Sequence, residues 1–166
     1  MKTVVVGIGD CKLSSEPACQ LVTYALGSCI AVTLYDPVAR IGGMLHFLLP
    51  DPGSETARAQ LNPFMYAATG LPLMFQQAYA MGADKRRLIV TATGGAQMMD
   101  SKGVFNIGKR NCLEMRKLLW KAGICLRMED VGGTVSRTVR MEVATGRVLL
   151  RSGAVEKEFL PAVRAA

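Results

Sequence analysis

Apolar runs separated by turn-forming residues organise this chain. Thr3–Ile8 is a run of β-branched residues and predicts an opening strand. Ile30–Tyr35 and Ile41–Leu49 predict two further strands, joined at Asp36-Pro37, where proline presets φ and aspartate can bond the following backbone. Pro50-Asp51-Pro52-Gly53 forces a loop that stays polar through Gln60. Leu71, Met74, Phe75 and Ala78 recur at i, i+3, i+4 and i+7 and predict a helix, with Thr69 as its cap, Pro72 in its first turn and Gly82 as its stop. Leu88–Ala92 predicts a strand leading into Gly94-Gly95. Asn111–Ala122 predicts a second amphipathic helix through Leu113, Met115, Leu118 and Leu119, closed by Gly123. Short strands follow at Ile124–Glu129, Thr138–Val143 and Arg147–Arg151, with Gly146 turning between the last two. Strands dominate and two helices interrupt them without a regular βαβ repeat, so the pattern predicts an α+β (mixed α/β) domain.

Composition narrows what such a domain can do. A length of 166 residues suits one domain spanning residues 1–166, and half the residues being hydrophobic excludes a disordered chain. A single histidine cannot build a His-rich zinc or iron site, so the chain is expected to work with no metal and no cofactor. Twenty Lys and Arg against 13 Asp and Glu give a net charge of +7, which attracts nucleic acid, anionic lipid or an acidic protein without choosing among them. The basic residues form short clusters (Lys85-Arg86-Arg87, Lys109-Arg110, Arg116-Lys117) with no nucleic-acid-binding signature beside them, and nucleic acid is not expected as a partner. Five cysteines without a CxxC pair exclude zinc ribbons and thioredoxin-type chemistry. The apolar window Leu61–Met81 is broken by Asn62, Pro63, Gly70, Pro72, Gln76 and Gln77, and Met1–Ile8 is too short for a signal-peptide core. The expectation is a cytoplasmic protein with reduced thiols and no membrane insertion.

The residues that can carry chemistry are Cys29 and the lone histidine, His46. Leu26-Gly27-Ser28-Cys29 places small residues around a thiol at the mouth of a predicted strand. Packing competes as an explanation for each, because cysteine is among the most buried residue types and His46 sits in the apolar segment Met44–Leu48. Register favours the functional reading. With a four-residue turn at Asp36–Ala39, Tyr35 pairs with Arg40 and Cys29 falls opposite His46, where Cβ atoms lie about 4.5–5.5 Å apart. A thiol beside an imidazole suffices for acyl transfer: an imidazolium lowers the thiol pKa, the thiolate attacks an amide or ester carbonyl, and the imidazole serves the leaving group and then water. A third group must hold the ring and backbone N–H groups must receive the oxyanion; spacing identifies neither.

Thr23-Tyr24-Ala25-Leu26-Gly27-Ser28-Cys29-Ile30-Ala31-Val32, Tyr35–Ala39 and Ile41-Gly42-Gly43-Met44-Leu45-His46-Phe47-Leu48-Leu49-Pro50 closely resemble the CheD family of bacterial chemotaxis. The likeness continues through Gly94-Gly95-Ala96, Asn106–Asn111, Asp130–Gly133 and Arg137. The resemblance implies a mixed β sandwich with helices packed on one side, as in toxin deamidases. It implies a protein-glutamine deamidase with Cys29 as nucleophile, His46 as general acid and base, and Thr23 orienting His46. The implied partners are the cytoplasmic helices of methyl-accepting chemotaxis receptors and, in many bacteria, the phosphatase CheC. Ala68, Met99 and Cys112 depart from the family's pattern without touching the three site residues. Two other activities fit the same residues: a non-catalytic adaptor that binds receptor or CheC, and a methylesterase acting on receptor methyl-glutamates.

Overall fold

The computed structural model describes residues 1–97 and 106–164; Met99 lies outside them. Its strands are β1 (Lys2–Val5), β2 (Asp10–Ser14), β3 (Cys19–Leu26), β4 (Ile30–Asp36), β5 (Ile41–Phe47), β6 (Ile89–Gly94), β7 (Leu126–Val131), β8 (Arg137–Glu142), β9 (Val148–Ser152) and β10 (Val155–Leu160). Its helices are α1 (Thr56–Leu61), α2 (Ala67–Met81) and α3 (Ile107–Lys121). One five-stranded sheet has the order β1-β3-β8-β9-β10 and the other β2-β5-β4-β6-β7. Each is mixed: β1 runs parallel to β3, β6 runs parallel to β7, and the remaining neighbours are antiparallel.

Strand alternation sorts the core into two layers. Ile30, Val32 and Leu34 of β4, with Leu45 and Phe47 of β5 and Val90 and Ala92 of β6, face Leu71, Met74, Phe75 and Ala78 of α2 and Met115 and Leu119 of α3. The opposite face of that sheet, carrying Cys29, Ala31, Tyr35 and Met44, packs on Leu21, Val139, Met141 and Leu150 of the other sheet. The central sheet is covered on both sides, which is why every residue of β4, β5 and β6 is buried. Each such aliphatic side chain contributes about 1.5–3 kcal/mol. The expected sandwich with helices on one side is therefore the architecture found.

The β4–β5 hairpin turns one residue later than expected, which shifts its register by two. Asp36 pairs with Ile41, so the turn is Pro37–Arg40, and His46 lies opposite Ala31 instead of Cys29. The Asp36 side chain causes this. It accepts hydrogen bonds from the N–H groups of Val38 and Ala39 at 2.9 and 3.0 Å, and from Arg87 and the Asp84 N–H across the fold, so the strand runs on to Asp36 before turning. Arg40 closes the turn at φ +54°. Because the sum of paired positions moves by two, face is preserved: Cys29 and His46 remain on one side of the sheet, now as diagonal neighbours.

The helices also begin earlier than the periodicity predicts. Tyr66, not Thr69, is the cap of α2, and Thr69 lies inside the helix with its hydroxyl donating to the Pro63 carbonyl. The α3 helix starts at Ile107 from a left-handed Asn106, and its buried stripe is Gly108, Asn111, Cys112, Met115 and Leu119; Leu113 is exposed. No described helix is long and apolar enough to cross a membrane.

Candidate active site

Thr23 and His46 meet where the chain passes from one sheet to the other, and Cys29 lies on the same face as a diagonal neighbour of His46 without a hydrogen bond to its imidazole. Thr23 lies near the end of β3, whose pairing with β8 breaks between Thr23 and Leu26, with Ala25 bulged at φ +52°. The bulge ends β3, and Gly27-Ser28-Cys29 carry the chain across the sandwich into β4. His46 comes from β5 and faces β3. Ala31 pairs with it on one side and with Thr93 of β6 on the other, so imidazole, methyl and hydroxyl form one row.

The Thr23 hydroxyl donates to the Val6 carbonyl at 2.7 Å and lies 2.8 Å from His46 Nδ1. A hydroxyl has one proton, and this one is spent on Val6. Toward the imidazole it is an acceptor, so Nδ1 carries the hydrogen and Nε2 keeps its lone pair. Nε2 is buried with no hydrogen-bond partner. A buried basic nitrogen left open costs free energy unless something is to bind there.

Burial sets the resting charge. Cys29 is 7% exposed and His46 3%. Burial pushes the Cys29 thiol up, only partly offset by a hydrogen bond from its own backbone N–H. Burial pushes the His46 imidazole down, against an upward pull from the Val6 carbonyl and the Asp10 carboxylate, whose residue pairs with His46 across β2 and β5. The site therefore rests as neutral thiol and neutral imidazole. This differs from the thiolate–imidazolium pair expected from proximity alone, because a sandwich interior disfavours both charges.

The segment 27–29 is held by its carbonyls. Gly27 accepts from Ala96 N–H at 2.8 Å, Ser28 from Asn111 Nδ2 at 2.9 Å, and Cys29 from Gly95 N–H at 2.8 Å. Gly94, at φ +117°, makes room for this contact: a Cβ there would stand 2.2 Å from the Cys29 carbonyl oxygen. Arg137, itself nearly buried, holds the Gly94 carbonyl at 3.2 Å and Asp130 at 3.0 Å. Asn111 was legible in the sequence only as part of a family motif; a polar residue on the apolar stripe of α3 is the signal that marks it. Among the described residues no cluster of His, Cys, Asp or Glu could hold a metal ion. All five cysteines are free thiols, Cys125 exposed and the others buried.

The family described as CheD, chemotactic sensory transduction, matches residues 48–152, a segment that begins beyond Thr23, Cys29 and His46. The chain is 53% identical over 161 residues to a protein of Solibacter usitatus named "Probable chemoreceptor glutamine deamidase CheD", covering 97% of this chain and 95% of that one. It is 42% identical over 147 residues to the chemoreceptor glutamine deamidase CheD of Thermotoga maritima, covering 89% of this chain and 90% of that one. A solved structure of the hypothetical protein YfiH from Bacillus licheniformis superposes with a TM-score of 0.42 at 16% identity, over 75% of this chain and 50% of its own, a likeness too distant to inform the fold.

Proposed function

The chain belongs to the CheD family of chemoreceptor glutamine deamidases, and on that premise we propose that Cys29 is its nucleophile, His46 its general base and acid, and Thr23 the residue that orients His46. The substrate is a glutamine on the cytoplasmic helices of a methyl-accepting chemotaxis receptor, the product a glutamate and ammonia. On this reading the protein works in the cytoplasm, with CheC as a partner where it is present.

The Thr23 bridge between the Val6 carbonyl and His46 Nδ1, which leaves Nε2 open, carries this reading. As Sγ attacks the amide carbon, Nε2 takes the thiol proton, so the thiolate exists only as it reacts. The C=O π pair moves onto oxygen. The imidazolium then gives its proton to the amide nitrogen, the C–N bond breaks, and ammonia leaves a thioester on Cys29. Water attacks the thioester with His46 again as base, and the C–S bond breaks to give a glutamate and the free thiol. Nδ1–H stays on Thr23 throughout.

The low exposure of Cys29 fits a substrate delivered on a thin, unbranched arm such as a glutamine side chain, not a whole helix. The product adds one negative charge to a receptor helix. A like-charge i, i+4 neighbour destabilises a helix by roughly 0.2–0.5 kcal/mol, enough to bias a receptor poised between two states.

The test is a mapped mass shift on co-expressed receptor together with an ammonia assay. Wild type should release ammonia and raise the mass of specific glutamine peptides, and Cys29→Ala should do neither. Equal ammonia from both proteins would leave only an adaptor. A fall in peptide mass by loss of a methyl group would make the enzyme an esterase.

A further inference from the structure

Asn111 is the one fully buried polar residue on α3, and its side chain touches both chain segments that carry the reacting groups. Its Nδ2 donates to the Ser28 carbonyl, one residue before Cys29, and to the Leu48 carbonyl, two residues after His46, each at 2.9 Å. Two facing carbonyls fix which way the amide points, since an oxygen in that position would meet two oxygens. The remaining atom, Oδ1, is buried with no partner, so the residue is held at a cost that packing alone does not explain.

The peptide joining Ser28 to Cys29 is trans, and a trans peptide points its C=O and N–H in opposite directions. Holding the Ser28 carbonyl against α3 therefore turns the Cys29 N–H away from α3. The Gly27 carbonyl, held by Ala96, turns the Ser28 N–H in the same way. We propose that Asn111 is a positioning residue for deamidation: by holding the Ser28 carbonyl it aims the Cys29 N–H as an oxyanion donor. It touches neither substrate nor reacting atoms. The inference rests on the assignment of Cys29 and His46 as the reacting pair.

The experiment compares Asn111→Ala and the isosteric Asn111→Asp with wild type in three measurements on the full chain: kcat and KM for receptor deamidation, the rate at which iodoacetamide alkylates Cys29, read peptide by peptide, and urea stability. Alkylation needs the thiol but no oxyanion donor, so it separates aiming from general disorder. Both variants, assayed where they are folded, should lose kcat by roughly 10- to 100-fold with KM unchanged, since a misaimed oxyanion donor loses much of what a deleted one does. Cys29 alkylation should stay at the wild-type rate. Wild-type kcat in either folded variant would overturn the proposal, as would alkylation changing in proportion to kcat, which is the mark of a loosened core. Cys29→Ala and His46→Ala run alongside: activity surviving in them would overturn the reacting pair itself, a failure distinct from that of Asn111.

Discussion

Replacing Thr23 with valine keeps the shape of the side chain and removes only its hydroxyl. In the wild type that hydroxyl satisfies two buried groups, the Val6 carbonyl at 2.7 Å and the His46 Nδ1–H at 2.8 Å. Each buried group left without a partner costs about 1–3 kcal/mol. The Val6 carbonyl, once freed, is a fallback acceptor for Nδ1–H, so the two costs are not both incurred in full. The catalytic loss comes from the tautomer. In the proposed mechanism His46 accepts the thiol proton at Nε2 only while Nδ1 keeps its hydrogen, and without Thr23 only the Val6 carbonyl is left to hold that hydrogen there. A penalty of about 1–3 kcal/mol in the barrier is about a 5- to 150-fold loss in kcat, with KM unchanged because the hydroxyl does not reach substrate. Thr23→Ser restores the hydroxyl and should recover most of the rate. The assay is ammonia release from a receptor fragment, beside urea unfolding to confirm that both variants are folded. Wild-type kcat in folded Thr23→Val would refute the orienting role, and Thr23→Ser as slow as Thr23→Val would show that volume, not hydrogen bonding, matters at this position.

Activity should fall on the acid side only below pH 6.5, since burial pushes the His46 pKa down and the ring must be neutral to act as base; an acid limb above that value in kcat/KM would contradict a neutral resting pair. Burial would raise the Asp36 pKa, but hydrogen bonds from Arg87 and from the N–H groups of Ala39, Asp84 and Val38 outweigh it and pull the value from 3.8 to about 2. The folded state therefore holds this proton less tightly than the unfolded state. The resulting stability, about 2 kcal/mol, is present above pH 4 and is lost as pH falls from about 4 to about 2, which urea titrations of wild type and Asp36→Asn should show as a difference that closes across that window. Gly108→Ala would bring a Cβ within 2.4 Å of the Gly95 carbonyl oxygen, so it should lower stability by about 1–3 kcal/mol and slow turnover as α3 backs away; an unchanged urea midpoint would show that the helix has room to move.

The central hairpin was legible because its apolar runs are long and its turn is chemically marked by Asp36-Pro37. Its turn falls one position later than expected, shifting the register by two, because the residue that sets it, Asp36, is bonded to Arg87 and Asp84 from a distant part of the chain. Strand β2 left almost no pattern: Cys11 is its only buried residue, and it exists as a strand because it pairs with β5. Strand β10 is likewise mostly exposed, with three charged residues among its six, and is held by pairing with β9. The start of α3 was hidden because Asn106 makes no side-chain cap and Gly108 sits in the first turn, where it weakens the helical signal but allows the helix to lie against the Gly95 backbone. Cys29 and His46 stood out because thiol and imidazole are chemically conspicuous. Thr23 entered only through family likeness, since one threonine among many carries no mark until its neighbours are known.

The order in which these parts leave the ribosome differs from the order in which they become useful. Thr23, Cys29 and His46 all precede the backbone at Gly95 and Ala96 and the amide of Asn111 that grip the segment around Cys29, and they also precede β8 and β9, which bury it. At ordinary synthesis speeds the growing chain carries the Cys29 thiol for roughly ten seconds before β8 and β9 can close over it. A nascent chain stalled in that interval would bear a sulfur open to oxidants, and any damage there would be sealed in when the sandwich closes.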